Sequence, residues 1–341
     1  MGIVRTVLGD IAPEAVGHVM FHEHVLFDIV PPGAVGDRDA EIRLEERWQI
    51  DYRSNESPAN AHQGDVAIAA AELGYFAADG GSLIVDQSVA RLARNPRGLA
   101  AAASAAGVHV VAAAGSYTAP YLDADFCEQS DETLFQLFSR EVTDGIDGTL
   151  IRAGLIGEMG CSWPIIPIER RALQAAARAA RDTGAALSVH PGRSAEACAE
   201  VLDIVEAQEL DPARVVLCHM DRTHPDGDGV EPLLARGANV EWDFFGIEQS
   251  HYWMGDVALP TDRDRLAFIK RFADAGYADQ LLMSHDICTK TRLRRWGGHG
   301  YGHILRNIRP MMRLLGFDPA LIVKLLRDTP LRLLTLPEAR A

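Results

Sequence analysis

No stretch of this chain runs uninterrupted through the about eighteen apolar residues that a membrane-spanning helix needs. The opening MGIVRTVLGDIAPEAVG also lacks an apolar core of signal-peptide type, so neither a membrane span nor a secretory leader is expected. MGIVRT does fit the loose myristoylation pattern. The alternation of Ile3, Arg5 and Val7 before a Gly-Asp pair reads instead as the opening of a short N-terminal hairpin, about residues 1–15. Cysteine is scarce: Cys127, Cys161, Cys198, Cys218 and Cys288 are odd in number, widely spaced and without C-x-x-C. That excludes a disulfide framework and a thiolate zinc knuckle, and points to a reducing, cytoplasmic location. Positive charge is in deficit, with 33 basic against 48 acidic residues and a net charge of -15. Binding to nucleic acid or to anionic membranes is therefore not expected, and a small soluble partner is. No G-x-G-x-x-G follows an early strand, which removes the main signal for a dinucleotide site.

What is there is a repeated alternation. Eight short apolar runs read as buried strands: VGHVMFHEH, GSLIVDQS, GVHVVAAAGS, RAGLIGEMG, AALSVHPG, RVVLCHMD, ANVEWDFFG and LLMSHDIC. Between them lie amphipathic stretches with start and stop signals. Thr261 and Asp264 resemble a capping box, Ser194 opens a helix, Gly184 closes one, and Asp318-Pro319 starts another. Eight strands alternating with helices, with no linker dividing the 341 residues, predict an α/β chain closed as one (β/α)8 (TIM) barrel. An open doubly wound sheet is the alternative. The long connections at 28–63 and 244–261 are expected to be binding loops or lids.

A barrel dictates where functional residues fall, namely at the C-terminal strand ends facing one mouth. His22 and His24 sit one residue apart in MFHEHV and share a strand face, with Glu23 opposite. Taken alone, the pair is either core filler or an edge for a metal ion. Glu158, His190, His219 and Asp286 end the fourth, fifth, sixth and eighth strands. Each has a bland reading as a satisfied polar residue, an ion pair or a helix cap. Together they would bury unpaired charge around one axis unless cations are present. Six donors exceed one four-coordinate ion and suit two divalent ions about 3.5 to 4 Å apart. We expect His22, His24 and Asp286 on one ion, His190 and His219 on the other, and Glu158 bridging. Mixed imidazole and carboxylate donors suit zinc, with manganese, cobalt or iron as alternatives. Glu23 and His285 face away by alternation and are given structural roles, and His18 reads as barrel interior. His251, His299 and His303 have no strand-end register and are left out of the metal set.

The motifs HEH, GLIGEMGCSWPI, SVHPGR, VLCHMDRT, VEWDFFG and MSHDICTKTRL occur in the order and positions of the phosphotriesterase-related branch of the amidohydrolase superfamily, which this chain resembles along nearly its whole length. The resemblance implies a metal-dependent hydrolase with a binuclear centre, and a homodimer. Phosphotriesterases and many lactonases of that family bridge their ions with a carboxylated lysine, where Glu158 stands here. The subgroup with glutamate at this position is associated with amide or carboxylic ester hydrolysis, including N-acyltaurine cleavage. The expected reaction is attack of a cation-activated water on the carbonyl of a small anionic acyl compound, such as an N-acyl amino acid or N-acyltaurine. Asp286 is expected to accept the proton, and the Tyr117 hydroxyl to bond a leaving group or the attacking oxygen. The alternatives are a lactonase or phosphotriesterase and, in another class, a metal-bearing barrel without catalysis.

Arg222 and Arg193 follow metal-ligand strands by three residues each and are candidates to hold a substrate carboxylate or sulfonate. Lys290 and Arg292 lie just beyond Asp286. Arginines in such places also pair with neighbouring carboxylates. Trp163, Phe245 and Tyr252, with Phe244 and Trp253, are candidates for a pocket wall, although an aromatic loop can equally be a self-packed lid or an oligomer contact.

Overall fold

The computed structural model describes residues 2–53, 56–248, 252, 254–255 and 257–337. Eight parallel strands form one sheet: β1 (His18–Glu23), β2 (Gly81–Asp86), β3 (His109–Ala114), β4 (Leu155–Gly160), β5 (Leu187–His190), β6 (Val215–Leu217), β7 (Asn239–Trp242) and β8 (Leu281–Met283). Each falls within one of the eight apolar runs, and the spatial order is the chain order. Helices intervene, such as Val66–Ala78 between β1 and β2 and Pro167–Thr183 between β4 and β5. Several follow the local signals closely. Gly184 ends its helix at φ 75°, Thr261 and Asp264 complete a reciprocal cap, and Asp318 accepts from the Ala320 amide. Among the described residues, no helix is long and apolar enough to cross a membrane.

The sheet closes, which decides against the open alternative. The Asp286 amide donates to His22 O at 3.1 Å, the His24 amide to Ile287 O at 3.3 Å, and Ser284 Oγ to His22 O at 2.8 Å. Glu23 adds a second seam: its carboxylate accepts His285 Nδ1 at 2.6 Å, the His285 amide at 3.1 Å and the Ile287 amide at 3.0 Å. The barrel interior is filled by Val19, Phe21, Leu83, Val85, Val111, Leu155, Val216 and Leu282, while alternate residues pack against the helices. The N-terminal strand Gly2–Thr6 pairs with Gly9–Ile11 and with Thr335–Pro337. Residues 28–63 are pinned at their base by Phe27–Asp28 pairing with His62–Gln63, so this long connection returns to its origin beside the mouth. His18 departs from expectation: it is half-buried at the start of β1, with Nδ1 3.1 Å from Gly80 O, because the first residue of a barrel strand lies at the rim.

Candidate metal centre

Val19 and Phe21 fill the barrel interior, and strict alternation would turn His22 and His24 outward. The register of β1 against β2 slips between Met20 and Glu23, and that irregularity swings both histidines back to the axis. A similar slip between Ile156 and Met159 does the same for Glu158. His219 and Asp286 leave their strands with left-handed backbone, φ 57° and 48°, a conformation that ordinary residues adopt rarely and mostly where function requires it.

These turns bring the donors together. The ligand atoms of His22, His24 and Glu158 all lie within 4.8 Å of one another, as do those of Glu158, His190 and His219, so Glu158 belongs to both groups. Glu158 Oε2 is 2.9 Å from His190 Nδ1 and 3.2 Å from His219 Nε2, and Oε1 is 3.5 Å from His24 Nε2. Asp286 Oδ1 approaches from the mouth, 3.3 Å from His24 Nε2 and 3.8 Å from His22 Nε2.

The donor set fits a pair of cations on two observations. His22 is fully buried, yet among the described residues neither ring nitrogen has a hydrogen-bond partner. His219 Nε2 and His190 Nδ1 also face one another at 3.0 Å while both point at the same Glu158 oxygen. Nitrogen lone pairs converging in this way call for shared positive charge. Burial pushes His190 well below its ordinary value, aided by the Arg222 charge, so its ring is neutral, the form a metal requires. Burial also opposes charge on His24, but Asp286 and Glu158 outweigh it and raise this ring to about 9. Glu158 is held well below the carboxylate range, because His190 and its neighbours overcome the upward push of burial.

A layer of residues that the sequence reading missed holds the donors. Asp243 Oδ1 lies 2.9 Å from His219 Nδ1, its Oδ2 accepts the His219 amide at 3.0 Å, and Oδ2 is 3.3 Å from His22 Nδ1. Ser88 Oγ is 3.0 Å from His24 Nδ1. Glu241, 3.5 Å from His22 Nδ1 and pushed up to about 7, chiefly by burial, completes with Cys218 the floor beneath that ring. Behind Asp243, Asp221 Oδ2 accepts its amide at 3.0 Å and pairs with Arg265, which reaches Asp262 at 2.7 Å. The usable signal was register: Asn239, Glu241 and Asp243 share the face of β7 opposite Val240 and Trp242, which pack outward.

The donors open into a cavity of about 330 Å³. His24, Glu158, His190, His219 and Asp286 line its floor; Tyr117, Arg193, Arg222, Phe244 and Tyr252 line its sides. Tyr117 Oη is 3.5 Å from His190 Nδ1, and burial together with the Glu158 charge raises its phenol well above 10. Two expected wall residues are elsewhere. Phe245 is fully buried beneath the Arg265 guanidinium, 5.7 Å from its ring centre, because the chain alternation that points Phe244 into the cavity turns Phe245 to the core. Trp163 is 39% exposed and outside the cavity, on the surface turn after β4. Trp253 and His251 lie outside the described residues. His303 pairs with Asp262 at 2.8 Å, and His285 is bound by Glu23. Lys290 lies outside the cavity lining, whereas Arg292 is part of it.

The sequence model of the phosphotriesterase family matches residues 2–334. The N-acetyltaurine hydrolase of Homo sapiens is 35% identical over 343 residues, covering 98% of each chain. Among solved structures, a resiniferatoxin-binding protein from Rhodobacter sphaeroides superposes with a TM-score of 0.89 at 33% identity, covering 98% of this chain and 95% of that one. The lactonase Lmo2620 from Listeria monocytogenes superposes with a TM-score of 0.81 at 24% identity, covering 98% of this chain and 100% of that one, a likeness of fold.

Proposed function

Because this chain belongs to the phosphotriesterase family, we propose that it hydrolyses the amide bond of a small N-acylated amine bearing a carboxylate or sulfonate. The chain is a metal-dependent hydrolase with ligand clusters at the barrel mouth. The observation that carries the amide reading is Glu158, a ready-made carboxylate common to both histidine groups; the human relative named for N-acetyltaurine hydrolysis agrees with it.

In this reading His22, His24, Glu158, His190, His219 and Asp286 would hold two divalent ions, with His22, His24 and Asp286 toward one and His190 and His219 toward the other. When bound, the ions make water acidic near neutral pH and polarise a carbonyl. The chain's own groups do the rest. Asp286 presents its carboxylate at the cavity floor beside His24 and takes the proton of the attacking water, later returning it to the departing amine. Tyr117 keeps its proton, so it donates to oxygen on the reacting group. Asp243 fixes the tautomer and tilt of His219, and Ser88 holds the tilt of His24. Phe244, Ile247 and Tyr252 limit the water that reaches them.

Zinc is the first choice of ion, given imidazole and carboxylate donors. A reducing, cytoplasmic setting accords with five unpaired cysteines, and a homodimer is part of the same reading. A panel of N-acyl amino acids, N-acetyltaurine, esters, lactones and paraoxon tests the reaction. Preference for the acylated amines supports it, and preference for lactone or phosphotriester replaces it with the alternative.

A further inference from the structure

Among the described residues, four arginines are buried: Arg5, Arg94, Arg222 and Arg265. Three have carboxylate partners. Arg5 meets Asp10 at 3.3 Å, Arg94 meets Glu141 and Asp147 at 2.6 and 2.7 Å, and Arg265 meets Asp221 and Asp262. Arg222, only 3% exposed, has none among the described residues. Among the described residues its one side-chain hydrogen bond is from Nη2 to Pro191 O at 2.9 Å, and Nη1 is buried without a hydrogen-bond partner. A guanidinium left in this state is costly, and the shortage is not one of acids in a chain with 48 of them.

The group is held in place rather than loose. Arg222 lies on the short helical turn Met220–Thr223 directly after His219, and the Pro191 carbonyl that anchors it follows His190. It therefore lines the cavity on the His190 and His219 side. The other two cavity arginines are not buried: Arg193 is exposed, with Nε donating to Tyr252 Oη at 3.1 Å, and Arg292 is half-buried, with Nη1 donating to Asp286 O at 3.3 Å. Ile29, Pro31, Pro32 and Pro120 supply an apolar part of the lining with no charge to match an anion.

We infer that Arg222 is the specificity-determining residue of this site, and that its guanidinium, which lines the cavity without a carboxylate partner among the described residues, receives the single negative charge, carboxylate or sulfonate, at one end of the substrate. The inference rests on the amide-hydrolase reading for the identity of that substrate, but the anion seat is a separate property. Charge-assisted bonds to a buried guanidinium give discrimination of about 10- to 100-fold. The anionic end then lies beside His190 and His219, and the apolar lining is left to the acyl group.

The test compares metal-loaded wild type with Arg222→Met and Arg222→Lys on N-acetyltaurine, N-acetyl-β-alanine and neutral N-acetylethylamine. Calorimetric binding of ethanesulfonate, propionate and neutral ethyl methyl sulfone is measured alongside. Wild type is expected to favour the anionic amides in kcat/KM by about 10- to 100-fold, with Arg222→Met losing that ratio through KM and Arg222→Lys keeping part of it. Ethanesulfonate affinity should fall with the ratio, and the sulfonate and carboxylate arms show which head the seat prefers. A ratio unchanged in Arg222→Met, with amides still cleaved, overturns the seat and leaves the amide reading standing. Arg222-dependent ethanesulfonate binding without amide cleavage supports the seat and removes the amide reading. Should Arg222→Met fail to fold, equal handling of anionic and neutral compounds by wild type and Arg222→Lys overturns the seat.

Discussion

Asp243 Oδ1 lies 2.9 Å from His219 Nδ1, on the opposite side of the ring from the nitrogen that meets Glu158. This pairing fixes which nitrogen of His219 faces the centre. Burial pushes the Asp243 carboxyl up, but His219 and His22 hold it below the ordinary carboxylate range, so the clamp is anionic at neutral pH. Asp243→Asn should leave a folded barrel that binds metal about 10- to 100-fold more weakly, as expected for loss of such an outer partner. Zinc titration of the chelator-stripped variant, followed by calorimetry, checks this, and wild-type affinity would assign Asp243 to packing alone.

Glu158 brings its carboxylate with it, whereas a carboxylated lysine must first capture carbon dioxide. Reconstitution of stripped protein with zinc should therefore proceed at the same rate in bicarbonate-free buffer and in buffer with added bicarbonate. A marked acceleration by bicarbonate would count against the role assigned to Glu158. Glu158→Gln should lose metal along with activity, because both histidine groups converge on this one carboxylate.

Asp286→Asn preserves shape while removing the proton acceptor. Far-UV circular dichroism should be unchanged, while kcat falls by about 100-fold or more, the scale of general acid–base catalysis. Turnover close to wild type would take Asp286 out of this role.

Asp262 gives a stability prediction away from the metal donors. Burial alone would raise its pKa, but His303, Arg265 and the Gly246 amide lower it from 3.8 to about 2. The resulting stabilisation of roughly 2 kcal/mol is present in full above the unfolded value and is lost as pH falls through about 2. Asp262→Asn should thus be less stable than wild type at pH 6 in urea unfolding, and the difference should shrink between about pH 4 and pH 2. A difference independent of pH would contradict the ion-pair account.

Much of this was legible in the chain because it rests on local pattern. All eight strands declared themselves as short apolar runs, and a barrel places strand ends at one mouth, so His22, His24, Glu158, His190, His219 and Asp286 could be grouped without coordinates. The orientation of His22 and Glu158 was not legible in the same way: both reach the axis through register slips in β1 and β4 that no alternation predicts. The supporting layer was hidden for a different reason. Asp221 and Asp243 stand at the ends of strand runs and Asp262 at a helix start, but nothing local names their partners, which are set by tertiary packing: Arg265 is 44 residues from Asp221. Phe245 and Trp163 were misplaced because composition identifies an aromatic loop but not which ring turns inward.

The most direct test of the central claim is a zinc titration of chelator-stripped protein, read as the rate of N-acetyltaurine hydrolysis. The account predicts no activity in the stripped state and a rise that levels off at two equivalents per chain. Hydrolysis that survives stripping, or an amide left intact at every zinc loading, would contradict it.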